Sequence, residues 1–560
     1  MPQAPQDPTL LARASAWLAE DPDPETREEL AKLIDAEATA ELAERFSGTL
    51  QFGTAGLRGE LGAGPMRMNR AVVIRAAAGL AAYLAKQPGH ARSTDNVVVI
   101  GYDARHKSAD FARDTAAVMT GAGLRAVVLP RPLPTPVLAF AIRNLGAVAG
   151  VEVTASHNPP RDNGYKVYLG DGSQIVPPAD AEIAAEIDAV EALADVPRSE
   201  SGWTVLGEEV LEAYLARTDA VLSPSSPRTA NTVYTAMHGV GKDVLLAAFA
   251  RAGFPAPTLV AEQAEPDPDF PTVAFPNPEE PGAMDLSFAT ARRTTPAPDL
   301  VIANDPDADR CAVAVADATV EGGWRMLRGD EVGALLAAHI ARKGGLAPDA
   351  VFAESIVSSS LLGRIAEHAG IGYEETLTGF KWIARVDNLR YGYEEALGYC
   401  VDPQGVRDKD GITAALAITE LASELKQENR TLLDLLDDLA VTHGLHATDQ
   451  LSVRVEDLSI ITHAMARLRE NPPTTLAGLP VTSAEDLTRG TSTLPPTDGL
   501  RYHLTGARVI VRPSGTEPKL KCYLEVVVPV PDASALPAAR AQATDTLTAI
   551  KRDLSAAAGI

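Results

Sequence analysis

The sequence predicts an α/β protein of several domains, three of one kind followed by a C-terminal α+β domain of another. The first reason is length, since 560 residues exceed what one hydrophobic core supports. The second is a rhythm that recurs three times, over 96–129, 231–260 and 349–377. Each stretch has an apolar run, a small polar turn, an amphipathic stretch of helical period, a Gly and a second apolar run. The third is the change of pattern near the end. Strands are predicted around 451–455, 507–511 and 520–528, with a terminal helix from about Ala533. The predicted boundaries are 1–210, 211–325, 326–445 and 446–560. Stretches rich in Pro and Ser at 222–227 and 471–475 read as loops or linkers, and the Pro- and acid-rich 262–281 as an exposed loop.

Composition narrows the function. Hydrophobic residues make up 46% and charged residues 22%, ordinary values for a globular protein. A formal net charge of −25 argues against a nucleic-acid partner, which needs clustered Lys and Arg. The N-terminus has no basic start followed by an apolar run, and no apolar stretch is long enough to span a membrane. Cys311, Cys400 and Cys522 are odd in number and widely spaced, which predicts buried thiols in a reducing cytoplasm. Nothing in the sequence specifies an oligomeric state.

Four motifs carry chemistry. Val153–Pro160 (VTASHNPP) follows an apolar run, so Ser156 is expected in a loop just past a strand end, where open α/β sheets bind ligands. A Ser hydroxyl needs activation to act as a nucleophile. His157 is adjacent, and a tight turn at Asn163-Gly164 is expected to fold Lys166 back toward it. The bland alternative is an ordinary Ser/Asn/Pro turn. The second motif, Asn304–Arg310 (NDPDADR), sets Asp305, Asp307 and Asp309 at alternate positions, which can converge on one hard cation. An EF-hand is excluded, because its sixth and twelfth positions hold Arg310 and Ala316 instead of Gly and Glu. Three carboxylates leave room on Mg²⁺ for a phosphoryl oxygen, and Arg310 suits a phosphate bound there. The third motif, Arg512–Lys519 (RPSGTEPK), offers a guanidinium, two hydroxyls and accessible amides, a compact phosphate cradle rather than a plain polar hairpin. The fourth, Gly392–Tyr399 (GYEEALGY), pairs Glu394 with Glu395 as acceptors for sugar hydroxyls. The Gly-rich Phe52–Gly59 with Arg58, and Thr378–Trp382 with Lys381, fit the same theme.

Together these residues resemble the α-D-phosphohexomutase superfamily. FGTAGLRG, TASHNP, DPDADR, GFKWI, the Glu-Glu-Ala loop and RPSGTEPK occur in that order over nearly the whole chain. The resemblance implies three related α/β domains with mixed sheets and a C-terminal domain of different fold, around a central cleft. It implies an isomerase, an intramolecular phosphotransferase. Ser156 matches the phosphoserine and is counted with Asp305, Asp307 and Asp309 as a ligand of one Mg²⁺. Arg58, His157, Lys166 and Arg310 match residues around the transferring phosphoryl group, and Lys381 one that assists proton transfer. Glu395, beside Glu394, matches the sugar-binding acid. Arg512, Ser514, Gly515 and Thr516, with Lys519, match the grip on the non-reacting phosphate. YEEALGY, FGTAGLRG and GFKWIARV point to the branch of phosphoglucomutase-2-type enzymes and phosphopentomutases. There Leu397 and Tyr399 stand where many members carry Ser and His.

The expected activity is a phosphoglucomutase interconverting glucose 1-phosphate and glucose 6-phosphate, with glucose 1,6-bisphosphate as primer and intermediate. Phosphopentomutase and phosphomannomutase are the alternatives within the family. A metal-dependent sugar-phosphate phosphatase is the alternative from another class, and the second phosphate grip argues against it. The expected partners are small sugar phosphates, with neither nucleic acid nor membrane.

Overall fold

A computed structural model describes residues 8–53, 56–87, 95–455, 457–514 and 519–560. Three of its four sheets are mixed and share one plan. The first holds β1 (Leu57–Glu60), β2 (Val97–Tyr102), β3 (Arg125–Val128), β4 (Ala149–Val153), β5 (Asp162–Leu169) and β6 (Thr204–Val205), in the order β1-β5-β4-β2-β3-β6. The second holds β7 (Thr232–Thr235), β8 (Thr258–Leu259), β9 (Leu300–Ala303), β10 (Ala312–Ala316) and β11 (Trp324–Met326), in the order β11-β10-β9-β7-β8. The third holds β12 (Val351–Ser355), β13 (Gly372–Thr376), β14 (Leu389–Glu394) and β15 (Gly398–Cys400), in the order β13-β12-β14-β15.

In each sheet one strand lies between two parallel neighbours. These are β2 between β3 and β4, β7 between β8 and β9, and β12 between β13 and β14. In each sheet the later of the two neighbours then turns back into an antiparallel strand, β4 into β5, β9 into β10 and β14 into β15. The recurring rhythm of the sequence is the first βαβ crossover of each sheet, with helices Ser108–Gly121, Gly241–Ala252 and Leu361–Ala369 as the connections. The runs VVVIGY and LVIA form β2 and β9, whose side chains are nearly all buried, the pattern of a parallel strand covered on both faces. Each buried Val, Leu or Ile contributes about 1.5–3 kcal/mol through removal from water.

The fourth sheet is different. It holds β16 (Leu445–Arg454), β17 (Thr475–Leu476), β18 (Leu479–Asp486), β19 (Leu500–Leu504), β20 (Ala507–Pro513) and β21 (Lys519–Val528), in the order β16-β21-β20-β19-β18-β17. Every pairing in it is antiparallel. Helix Leu536–Ala558 covers one face through Leu547, Ile550 and Leu554. The expected fold class is therefore observed.

The chain forms two compact units. The first comprises 1–222, 228–324 and 402–416; the second comprises 223–227, 325–401 and 417–560. Within the second, the third and fourth sheets join across an apolar cluster that includes Ile356, Val357, Leu377, Ile510 and Tyr523. All three cysteines are buried and unbridged. Among the described residues, no helix is long and apolar enough to cross a membrane.

Candidate active site

The shared plan explains where the motifs lie. Ser156 sits in the turn from β4 to β5, the three Asp in the turn from β9 to β10, and Glu395 in the turn from β14 to β15. Three chemically unlike motifs thus occupy the same structural position, just past the carboxyl end of a parallel strand.

Ser156 is 3% exposed and its φ is +51°, a left-handed conformation uncommon for a residue other than Gly. Its loop is held from two sides. The backbone N–H of Ser156 donates to Thr154 Oγ1 at 2.8 Å. From beneath, Arg105 donates to the carbonyls of Ser156 and Asn158 through Nη2, and of Pro159 and Asp162 through Nη1. Arg105 in turn pairs with Asp103 at 3.3 Å and lies over the Phe270 ring at 4.8 Å. Sequence reading missed Arg105. Its one visible signal was a charged pair, Asp103 and Arg105, directly after an apolar strand.

The Ser156 hydroxyl donates to Asp305 Oδ2 at 2.6 Å and lies 3.1 Å from His157 Nδ1. Lys166 reaches the acids by a different route from the expected turn. Asn163 and Gly164 lie inside β5, not in a tight turn, and β5 runs back along β4 so that Lys166 pairs with Glu152. Lys166 Nζ then donates to Asp307 Oδ2 at 2.7 Å and Asp309 Oδ2 at 2.9 Å. Thr135 Oγ1 donates to Asp307 at 2.7 Å, and Lys409 Nζ lies 3.3 Å from Asp309. Both were missed, because Thr135 opens an unremarked helix and Lys409 lies in a segment distant in sequence. That segment comes close because Gly411 has no side chain: a Cβ there would lie 2.2 Å from the Arg310 carbonyl.

Arg310 donates its backbone N–H to Asp305 Oδ1 at 3.0 Å. Arg58, on β1, donates to Asn158 Oδ1 at 3.1 Å. Its strand approaches closely through Gly56, whose φ is +91° and whose Cβ would overlap the Tyr165 carbonyl oxygen.

The three Asp are 0–1% exposed, and one carboxylate oxygen from each lies within 4.8 Å of the others. Burial, then the charges of Asp307 and Asp309, push the Asp305 carboxyl well above the usual carboxylate range. Burial acts the same way on Asp307, but the Lys166 ammonium and hydrogen bonds outweigh it and hold Asp307 well below that range. Asp307 Oδ1 and Asp309 Oδ1 are buried without a hydrogen-bond partner. Hard oxygens, one from each of three acids, two of them orphaned, fit a small divalent cation.

In the second unit, Glu394 Oε1 accepts the Gly379 N–H at 2.7 Å, tying the β14–β15 hairpin to the segment that carries Lys381. Lys381 is buried, with Nζ 5.5 Å from the Trp382 ring centroid. Glu395 Oε2 accepts from Ser355 Oγ at 3.2 Å and Ser358 Oγ at 3.3 Å. Leu397 and Tyr399 are core residues. Both are 0% exposed, and the Tyr399 hydroxyl donates to the Gly329 carbonyl at 3.1 Å. Arg512, Ser514 and Lys519 lie at the β20–β21 hairpin, closed by the Ser514 N–H donating to the Lys519 carbonyl at 2.8 Å. Gly515 and Thr516 lie outside the described residues.

A strained serine loop bonded to a buried acid cluster, on sheets built to one plan, defines a phosphoryl-transfer fold. Sequence comparison agrees. Residues 49–194, 212–320 and 328–442 match phosphoglucomutase/phosphomannomutase alpha/beta/alpha domains I, II and III, and residues 451–543 match the C-terminal domain. The chain belongs to the phosphoglucomutase/phosphomannomutase family, within the α-D-phosphohexomutase superfamily, and is an isomerase of the phosphomutase type. It is 50% identical to a probable phosphomannomutase of Haemophilus influenzae, over 82% of this chain and 93% of that one. It is 37% identical to a probable phosphoribomutase of Schizosaccharomyces pombe, over 92% and 94%. It is 34% identical to a phosphoglucomutase of Staphylococcus epidermidis, over 88% and 93%.

Proposed function

We propose that the chain interconverts a sugar 1-phosphate with the isomer phosphorylated at its terminal hydroxyl, through a phosphoryl group carried on Ser156. The observation that carries this reading is the 2.6 Å hydrogen bond from Ser156 Oγ to the buried Asp305. In the forward step a sugar hydroxyl attacks phosphorus, and the bond from phosphorus to Ser156 Oγ breaks as the new P–O bond forms. The hydroxyl proton passes to a base, and Ser156 Oγ takes up a proton on leaving. The bisphosphorylated sugar turns end for end, and its other phosphoryl group returns to Ser156 by the reverse step.

Lys166, His157 and Lys381 are the candidate proton carriers. Arg58 and Arg310 offset charge on the transferring group, which needs positioning and electrostatics more than covalent help. Asp305, Asp307, Asp309 and the Ser156 oxygen would hold Mg²⁺, which supplies Lewis-acid charge compensation to the phosphoryl oxygens. Glu394 and Glu395 orient sugar hydroxyls, while Arg512, Ser514, Gly515, Thr516 and Lys519 grip the other phosphate.

Glucose phosphates are the proposed substrate, with glucose 1,6-bisphosphate as primer. A phosphopentose is the second reading, favoured by the end-to-end similarity to the phosphoribomutase. Mannose phosphates are the third, favoured by the 50% identical relative. The test incubates enzyme and Mg²⁺ with glucose, ribose or mannose 1-phosphate, each with and without the matching bisphosphate. Isomerisation that needs the primer and is fastest with glucose is expected. Release of inorganic phosphate without isomerisation overturns the mutase reading, and faster turnover of another sugar overturns the substrate.

A further inference from the structure

An open cavity of about 1200 Å³ lies wholly within the second unit, apart from every residue proposed above to touch substrate. It is as large as cavities that hold small-molecule ligands. Its walls are helix Leu361–Ala369, the end of helix Leu432–His443, and strands of the third and fourth sheets. Four of the chain's 10 histidines line it: His368, His443, His446 and His503.

The acids in the wall are already engaged. Glu525 accepts from His446 Nδ1 at 3.1 Å, from Ser359 Oγ at 2.7 Å and from the Ser360 N–H at 2.8 Å, and pairs with Arg508 at 3.1 Å. Glu375 pairs with Arg508 at 2.9 Å and Arg501 at 3.3 Å. Glu367 pairs with Arg364 at 3.1 Å. Tyr373 donates its hydroxyl to Glu354 at 2.7 Å.

The basic side has capacity left over. The His368 and His443 rings meet edge to face at 5.4 Å between centroids. The His446 side chain is 2% exposed, and its Nε2 is buried with no hydrogen-bond partner. The carboxylate nearest His503 is Glu485, 3.9 Å from Nε2. Burial, then the charges of His368, His446 and Arg364, disfavour the protonated form of His443. Such crowding of basic groups is relieved by a bound anion, which also gives a hydrogen-bond partner to the buried His446 Nε2 that has none.

We propose that this cavity is a second ligand site, taking a small phosphoryl-bearing molecule between the imidazoles of His443 and His446 and the guanidinium of Arg364. Inorganic phosphate and a phosphate ester share that chemistry. The inference stands whichever sugar the reaction centre uses.

The test soaks crystals of the full chain at pH 6.5 with tungstate, a phosphate mimic located by its anomalous signal. In parallel, inorganic phosphate and glucose 6-phosphate are titrated calorimetrically into the wild type and a His443→Asn/Arg364→Gln variant. Neither substituted residue belongs to the proposed machinery, so mutase activity and melting temperature should be unchanged. A peak against His443 and His446 is expected, with one more phosphate-type site in the wild type than in the variant. Either titrant bound there supports the site and assigns it to free anion or ester. Tungstate confined to the reaction centre, or equal stoichiometry in wild type and variant, overturns the proposal. An Arg364→Gln variant, altered at an exposed position, repeats the calorimetry should the double variant melt early.

Discussion

Arg105→Ala tests whether the serine loop is held from below. The side chain donates to four backbone carbonyls, pairs with Asp103 and packs on Phe270. Hydrogen bonds to charged groups are worth about 1.5–3 kcal/mol each, but four that share one guanidinium are not additive. Removing one partner of a buried ion pair costs about 3–5 kcal/mol, because the other charge stays behind unpaired. Asp103 is 1% exposed, and its carboxyl is already raised by burial against the pull of Arg105. The expected loss is therefore about 3–5 kcal/mol of stability in the first unit, read by urea unfolding. Arg105→Lys keeps the charge but not the planar fork. It should fold, yet let Ser156 leave its left-handed conformation. A misplacement near 1 Å costs about 10²-fold in rate. The coupled mutase assay should thus show kcat down by about that factor with KM little changed. If Arg105→Ala unfolds within about 1 kcal/mol of wild type and Arg105→Lys keeps wild-type kcat, the loop is not held this way.

Ser156→Ala should abolish labelling of the protein by radioactive bisphosphate, and a persisting phosphoenzyme would assign the nucleophile elsewhere. Lys166→Met removes the ammonium between Asp307 and Asp309. It should lower the melting temperature without divalent cation and enlarge the rise on adding Mg²⁺; an unchanged Mg²⁺ response would refute the cation role of the cluster. Burial would raise the Glu420 carboxyl, but bonds from His339, Lys343, Ser226 and the Ser223 N–H hold it at about 2, below its ordinary 4.5. A lowered folded-state value means its stabilisation is complete above pH 4.5 and is lost as pH falls toward 2. Glu420→Gln should therefore be less stable at pH 7 and lose less on acidification, as circular dichroism melts from pH 7 to 3 would show.

Much of this protein was legible in its sequence, because the relevant physics is local. A run such as VVVIGY followed by an amphipathic stretch and a Gly can scarcely bury its apolar surface except as a strand, a crossover helix and a parallel strand, so the fold class followed from periodicity. The acids at 305, 307 and 309 were legible because alternate positions in one short turn bring their oxygens together without help from elsewhere. Tertiary structure decided what depends on residues far apart in the chain. Ser156 lies 149 positions from the Asp305 carboxylate that accepts its hydrogen bond, and Lys409, a hundred positions from Asp309, is brought near it by the close approach at Gly411. Arg105 is an ordinary surface-type residue in sequence, and only the fold puts four carbonyls around it. Lys166 reached its acids through strand pairing, not through the turn that Asn163-Gly164 suggested, since the partner strand determines whether such a dipeptide bends. Leu397 and Tyr399 stand where many members carry Ser and His, and the fold shows them buried. Patterns within a few residues determined the elements and the kinds of chemistry present. Chain crossings a hundred or more residues apart decided which of those groups meet, because contact energies depend on distance in space and a one-dimensional sequence records only distance along the chain.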